Sequence, residues 1–257
     1  MVFSRFRKSI RQKQLGLYSG QLGVYRRYLR EKEGWDRHLN NTKEFILQKV
    51  RSLSPKSICV LGSGYLLDFP TEKVLDLGIK LTLVDIAHPA EVVKKYASNN
   101  QVEFVTKDLT GGLVSKLTDS KLKDVSFFTL INIVEKCKPA VFNADMVISL
   151  NLLSQLSDIP IEFLRNKKLI TDWQSIEIAN SIQNKHIESL PHGKSLLISD
   201  IMEEYFDSDG KLAFSRPVVY VDLSGLSEVQ EWVWDFDSSF TYNEDYITKM
   251  QVVAGRV

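Results

Sequence analysis

The sequence predicts an α/β fold: a doubly wound, mostly parallel seven-stranded sheet with an antiparallel C-terminal strand pair and an N-terminal helical extension. Three observations lead there. From Pro55 to Asp200, short runs rich in Val, Ile and Leu alternate with helix-length segments, the spacing of repeated β-α-β units with helices on both faces of a sheet. The first run ends in a glycine turn, Gly62-Ser63-Gly64, and the second in an acid, Asp85. Near the C-terminus two strand-like runs, 228–237 and 247–253, follow each other without a helix-length crossover, so they should pair antiparallel.

The elements follow in order. Leu15, Tyr18, Leu22, Tyr25 and Leu29 recur at steps of three and four, the period of one helix face. Gly16, Gly20 and Gly23 each weaken that helix by up to roughly 1 kcal/mol relative to Ala, so packing must hold it. A second helix is expected to open at Asn41, with Glu44 as its capping-box partner and Phe45, Ile46 and Val50 facing inward. Ser54-Pro55 ends it. The chain is therefore read as a basic helical extension over residues 1–50 and a Rossmann-like domain over 51–257.

Strands are expected at 57–61, 81–85, 102–105, 145–150 and 195–200, with helices after Pro70, from Pro89 to about Ala97, near 125–134 and from about Gln174 to Leu190. The segment around Gly111-Gly112 reads as less regular. In the strand 228–237, Trp232, Trp234 and Phe236 share one face, most simply a buried one.

Composition narrows the function classes. A hydrophobic share of 44% and a charged share of 25% belong to an ordinary globular chain. No apolar run approaches the roughly 20 residues that span a bilayer, and the basic N-terminus lacks the apolar core of a secretion signal; a cytoplasmic location is the expectation. Cys59 and Cys137 share no short spacing, and His186 and His192 stand six apart rather than at the i, i+4 separation of helical ligands, so neither a disulfide framework nor a metal site is expected. Charge is unevenly placed. Of 33 Lys and Arg, 13 fall in the first 51 residues, against four of the 32 acids. Arg5, Arg7, Lys8, Arg11 and Lys13, with Phe3 and Phe6, suit nucleic acid or an anionic surface; a solvated helix face is the plainer alternative.

The chemistry concentrates at the carboxyl ends of the strands, where open parallel sheets bind ligands. Gly62, Ser63 and Gly64 form a turn in which a side chain would block the backbone amides from a ligand. Asp85 lies 21 residues beyond Gly64, where a carboxylate at the second strand's tip can hold ribose hydroxyls. Without a ligand, the same residues would be a tight βα turn and a helix cap. Asp108, Asn151 and Asp200 share the rim. His88 is a candidate general base or a plain loop residue. Asn151, with Ser154, would orient a polar substrate group or simply cap a helix. His186 continues a helix face with Ile178, Ala179 and Ile182 and is expected to be hydrogen-bonded at the core edge.

Taken together, Val60-Leu61-Gly62-Ser63-Gly64, Val84-Asp85, Lys107-Asp108-Leu109 and Asp145–Leu153 resemble the first four motifs of class I S-adenosylmethionine-dependent methyltransferases. Leu61-Gly62-Ser63-Gly64, Val84–Pro89 and Asn151–Leu156 resemble more closely a bacterial group of uncharacterised methyltransferase-like proteins. The resemblance runs from about Asn41 to Val257. It implies S-adenosylmethionine held by Gly62, Ser63, Gly64, Asp85, Ile86, Asp108 and Asn151, with Ile86 on the adenine and Asp108 at its amino group; it carries over no methyl acceptor, and an unidentified small molecule is the expected substrate. The family's usual acid two residues before the first glycine is Val60 here, and Tyr65-Leu66-Leu67 fill a usually small turn. Asp68 is the carboxylate that would replace the missing acid. Asn151–Ser154 lacks the prolines that the amide-methylating branch carries there. Two alternatives stand beside a methyltransferase: a methyltransferase-like binding module without catalysis, and an NAD-dependent oxidoreductase, which Gly-x-Gly and Asp85 alone would also suit.

Overall fold

The structure, a computed structural model, describes residues 17–119, 122 and 125–257. The basic cluster at Arg5, Arg7, Lys8, Arg11 and Lys13, with Phe3 and Phe6, and the helix-face residue Leu15 lie outside the described residues.

Two helices precede the sheet, α1 (Leu17–Arg30) and α2 (Lys32–Leu53). The second begins nine residues before the expected Asn41, and Asn41 and Glu44 lie within it rather than at its cap. Its buried face, Trp35, His38, Leu39, Thr42, Phe45, Ile46 and Val50, runs unbroken at helical spacing. Gly34 masks this continuity in the sequence because glycine is a poor helix former. It is there for contact: a Cβ at Gly34 would sit 2.8 Å from the Asp235 carbonyl oxygen of the sheet. Between the helices the buried Glu31 carboxylate accepts the Ser238 N–H at 3.0 Å and hydroxyls of Ser238 and Ser239. That contact pins the hinge to the loop after the Trp-rich strand.

Eight strands form one sheet: β1 (Ser57–Leu61), β2 (Lys80–Asp85), β3 (Val102–Thr106), β4 (Met146–Leu150), β5 (Ser195–Phe206), β6 (Leu212–Pro217), β7 (Ser227–Asp237) and β8 (Ile247–Arg256). The order is β3-β2-β1-β4-β5-β8-β7. The first five are parallel; β8 runs antiparallel between β5 and β7. This is the expected doubly wound sheet with its antiparallel end, with one correction: among the described residues the sheet has eight strands, not seven. Strand β6 pairs antiparallel with an extension of β5 that runs six residues past Asp200. Every residue of β6 is exposed, so it carries no alternation of apolar and polar positions to read.

Helices α3 (Thr71–Asp76), α4 (Ala90–Tyr96), α6 (Phe127–Glu135) and α8 (Asp172–Ser189) fall close to expectation. Helices α5 (Leu113–Asp119), after the glycine pair, and α7 (Asp158–Asn166) are additions. The parallel strands are buried on both faces. Ile58 and Val60 of β1 join the layer that holds α2, Trp232, Trp234 and Phe236; Cys59 and Leu61 join the layer of α6 and α8. Both cysteines are free and buried; burial of Cys59 follows from its place inside β1. Among the described residues no helix is long and apolar enough to cross a membrane, and no metal-binding cluster is found.

Candidate functional site

The strand order reverses between β1 and β4, and the crevice beyond the carboxyl ends at such a reversal is where open α/β sheets hold ligands. Two segments border it: the turn after β1 and the loop after β4. Both contain a non-glycine residue in the left-handed region, Leu66 at φ +57° and Asn151 at φ +44°. Such strain persists only where surrounding structure enforces it, and it concentrates at functional sites.

The glycine turn is built for close approach. Gly62 has φ +80°, and a Cβ there would lie 3.0 Å from the Leu152 side chain and 3.1 Å from the Leu150 carbonyl. At this position glycine therefore lets the β1 turn nest against the end of β4. At Gly64, φ +43°, a Cβ would meet nothing within 4 Å, so space lies over the turn. The amides are not bare, however. Gly62 and Ser63 donate to the Val84 carbonyl at 2.9 and 3.3 Å, and Gly64 donates to Asp85 Oδ2 at 2.9 Å. Leu66 packs into the core, while Tyr65 stacks on Tyr25 of α1 with ring centroids 4.6 Å apart.

Asp85 is buried at the tip of β2. Besides Gly64 it takes the Ala87 N–H at 3.4 Å, and Gln21 Nε2 of α1 reaches it at 3.3 Å while donating to the Ala87 carbonyl at 2.9 Å. Burial raises its pKa above the ordinary carboxylate value, with the Gly64 and Ala87 bonds opposing the rise. Desolvation of the charged form thus outweighs the bonds that the carboxylate accepts. Ile86 beside it is half-buried.

Asn151 meets Asp68, the carboxylate expected to replace the acid missing at Val60. Its Nδ2 donates to Asp68 Oδ2 at 2.6 Å. His38 of α2 lies 3.3 Å from the same nitrogen, and the Trp232 indole N–H donates to His38 Nδ1 at 3.0 Å. Burial lowers the His38 pKa to about 3, so the ring is neutral. Since Nδ1 accepts, Nε2 carries the hydrogen; two donors then face each other, and the Asp68 bond is the one that fixes the Asn151 amide. Desolvation raises the Asp68 pKa, opposed by that bond. Val60 itself is fully buried in the core.

The remaining sequence candidates are placed differently. Asp108 Oδ1 accepts both the N–H and hydroxyl of Thr110, and Oδ2 accepts the Val114 N–H at 3.2 Å, so it caps the start of α5. His88 packs edge-on against Phe104 at 5.2 Å, with both ring nitrogens buried and without a partner among the described residues. His186 Nε2 meets the Ser149 hydroxyl at 2.8 Å in the core.

A second feature adjoins this rim. A cavity of about 690 Å³ lies over the ends of β4 and β5, walled by α1, α7, β6 and β7. Ser154 donates to Asp200 Oδ1 at 2.7 Å on its floor. Glu203 accepts from Tyr205 at 2.6 Å, from Tyr242 at 2.5 Å and from the Arg216 fork. Asp158 opens α7 at the solvent side of the cavity. Desolvation, then the neighbouring Asp200 and Glu203, push the Asp158 pKa up to about 7; desolvation pushes Asp200 to about 6, opposed by the Ser154 bond. Water reaching Asp158 screens part of its share. Asp200 stood on the predicted rim. Asp158, Glu203, Arg216 and Gln21 did not; the one signal for Asp158 was an Asp-x-Pro start to a helix directly after the fourth-strand motif.

No protein-family model matches the sequence, and no curated protein matches it. Several solved structures match the chain at low identity. The N-methyltransferase NodS from Bradyrhizobium japonicum WM9, in complex with S-adenosyl-L-homocysteine, is 11% identical with a TM-score of 0.42, covering 84% of this chain and 85% of its own. The 1,6-didemethyltoxoflavin-N1-methyltransferase of Burkholderia thailandensis is 13% identical with a TM-score of 0.39, over 93% and 89%. The plantazolicin methyltransferase BpumL is 11% identical with a TM-score of 0.37, over 98% and 96%.

The residues at the rim fit an adenosyl group on their own terms. Open space stands over Gly64, and the Asp85 carboxylate lies beside it, with the Gln21 amide on the oxygen where a hydroxyl donor would sit.

Proposed function

We propose that this chain is an S-adenosylmethionine-dependent methyltransferase acting on a small molecule, with residues 51–257 as the cofactor domain and residues 1–50 as a basic extension. The observation that carries this reading is the buried Asp85 carboxylate, tied to the Gly64 amide at the point where strand order reverses. Asp85 would hold the ribose, Ile86 would pack on the adenine, and Asp68, held by Asn151, would face the cationic end of the methionine portion. When bound, the cofactor supplies a methyl group made electrophilic by a sulfonium. The protein's task is then mainly to align two reactants and exclude water. Few side chains are obligatory for that. A cytoplasmic location and contact of the basic arm with nucleic acid or an anionic surface belong to the same proposal.

A second reading, a binding module that does not catalyse, draws on two observations. Val60 replaces an acid, and Gln21 occupies the Asp85 oxygen that a ribose would use. Thermal unfolding with S-adenosylmethionine, S-adenosylhomocysteine or NADH tests both, because a ligand that binds only the folded state raises the midpoint. Stabilisation by the first two alone is expected. NADH alone would mean an oxidoreductase, and no shift with any of them would favour the module.

A further inference from the structure

The cavity over β4 and β5 has an unbalanced charge inventory. Of its lining ions, Arg165 pairs with Asp172 at 2.9 Å, Arg216 pairs with Glu203, and Arg27 stands 3.8 Å from Asp237 while lying over the Phe236 and Tyr242 rings. Two carboxylates are left, Asp158 and Asp200, neither with an ion-pair partner among the described residues. Asp200 is only 6% exposed, and among the described residues the only bond it accepts from another residue is the Ser154 hydroxyl, on Oδ1. No other described residue donates to Oδ2, on the cavity side of the carboxylate. A buried carboxylate is costly unless paired and hydrogen-bonded, and Asp200, buried with the exposed Asp158 on the same cavity, leaves room for a donor from outside.

Apolar and aromatic side chains line the cavity as well, with Arg27 over two of the rings. Trp234, Phe236 and Tyr242 contribute aromatic faces, with Met250 and Ile161 beside them. A cavity of about 690 Å³ is in the size range of small-molecule sites, where a few polar groups orient an otherwise apolar ligand.

We propose that this cavity binds a small molecule carrying a primary or secondary amine on an apolar, aromatic-sized body, the ammonium lying between Asp158 and Asp200. That such a molecule is the methyl acceptor rests on the function proposed above; that the cavity selects amines does not. Asp200 and Ser154 form the rigid half of the cradle, because both are buried and bonded to each other. Asp158, at the solvent side, closes the cradle and can take a proton from the bound nitrogen.

The test uses the full chain and three probes of matched shape: phenethylamine, 2-phenylethanol and phenylacetate, titrated calorimetrically. Phenethylamine should bind at least ten-fold more tightly than the neutral alcohol, and phenylacetate should not bind. Asp200→Asn and, separately, Asp158→Asn should each weaken phenethylamine at least ten-fold. Asp209→Asn, the same charge change in the exposed β5–β6 turn, should not. Asp158→Asn is the variant least able to disturb folding, since its side chain is at the solvent face. No binding of phenethylamine, equal binding of amine and alcohol, or an unchanged affinity in both variants would overturn the proposal. S-adenosylhomocysteine titrated in parallel separates the outcomes: its failure to bind while phenethylamine binds would remove the methyltransferase reading and leave the amine site standing.

Discussion

His186 shows how one buried side chain ties the fold to pH. It is 1% exposed, bonded to Ser149, and burial alone lowers its pKa from 6.5 to about 4. Between those values the unfolded chain binds a proton that the folded chain refuses, so stability is lost as pH falls from 6.5 toward 4, at up to about 1.4 kcal/mol per pH unit. Asp158 and Asp200 act in the opposite sense, because their folded pKa values lie above the unfolded ones. The comparison of one variant with wild type isolates the histidine. His186→Gln, which keeps a partner for Ser149, should flatten the decline in denaturation midpoint between pH 6.5 and 4.5 relative to wild type; parallel curves would show that His186 does not titrate as buried.

At the scale of elements, α1 and α2 carry most of what is particular to this chain. Helix α2 lies against β7 through Trp35, whose indole N–H donates to the Phe236 carbonyl at 2.9 Å, and through His38 stacked on Trp234 at 4.0 Å. Gly34 sets the separation. Its replacement by Ala gains about 1 kcal/mol of helix propensity but drives a Cβ onto a backbone oxygen that cannot move aside, and overpacking costs about 1–3 kcal/mol. The clash should win: Gly34→Ala is expected to lower stability in chemical denaturation, and a gain would contradict the packing described. Helix α1 bridges both parts of the site, with Gln21 on Asp85 and Arg27 at the cavity. If the Gln21 amide stands where ribose hydroxyls bind, Gln21→Ala should tighten S-adenosylhomocysteine binding about three- to ten-fold, a change of roughly 0.7–1.4 kcal/mol. Weaker binding would mean that Gln21 helps to hold the ligand instead.

For the molecule as a whole, the order and type of the parallel elements were legible because buried strands and amphipathic helices leave their periods in the sequence. Residues 57–61 and 81–85 needed little more than their apolar runs and the glycine and acid that end them. What escaped notice left no such trace. Strand β6 is exposed on both faces, the first turn of α2 carries the poor helix former Gly34, and Glu203 meets Arg216, like Gln21 meets Asp85, only through tertiary contacts. The turn amides of Gly62–Gly64 illustrate the converse. Glycine spacing announced a ligand-facing turn, whereas Gly62 is required by the approach of Leu150 and Leu152, and the amides bond to Val84 and Asp85. The proposed activity therefore rests on the Asp85 carboxylate more than on the glycines. Calorimetric titration of S-adenosylhomocysteine into the wild type and Asp85→Ala addresses that carboxylate directly. The account predicts saturable binding to the wild type and a loss of at least ten-fold in the folded variant; equal affinities, or no binding to the wild type at all, would contradict it.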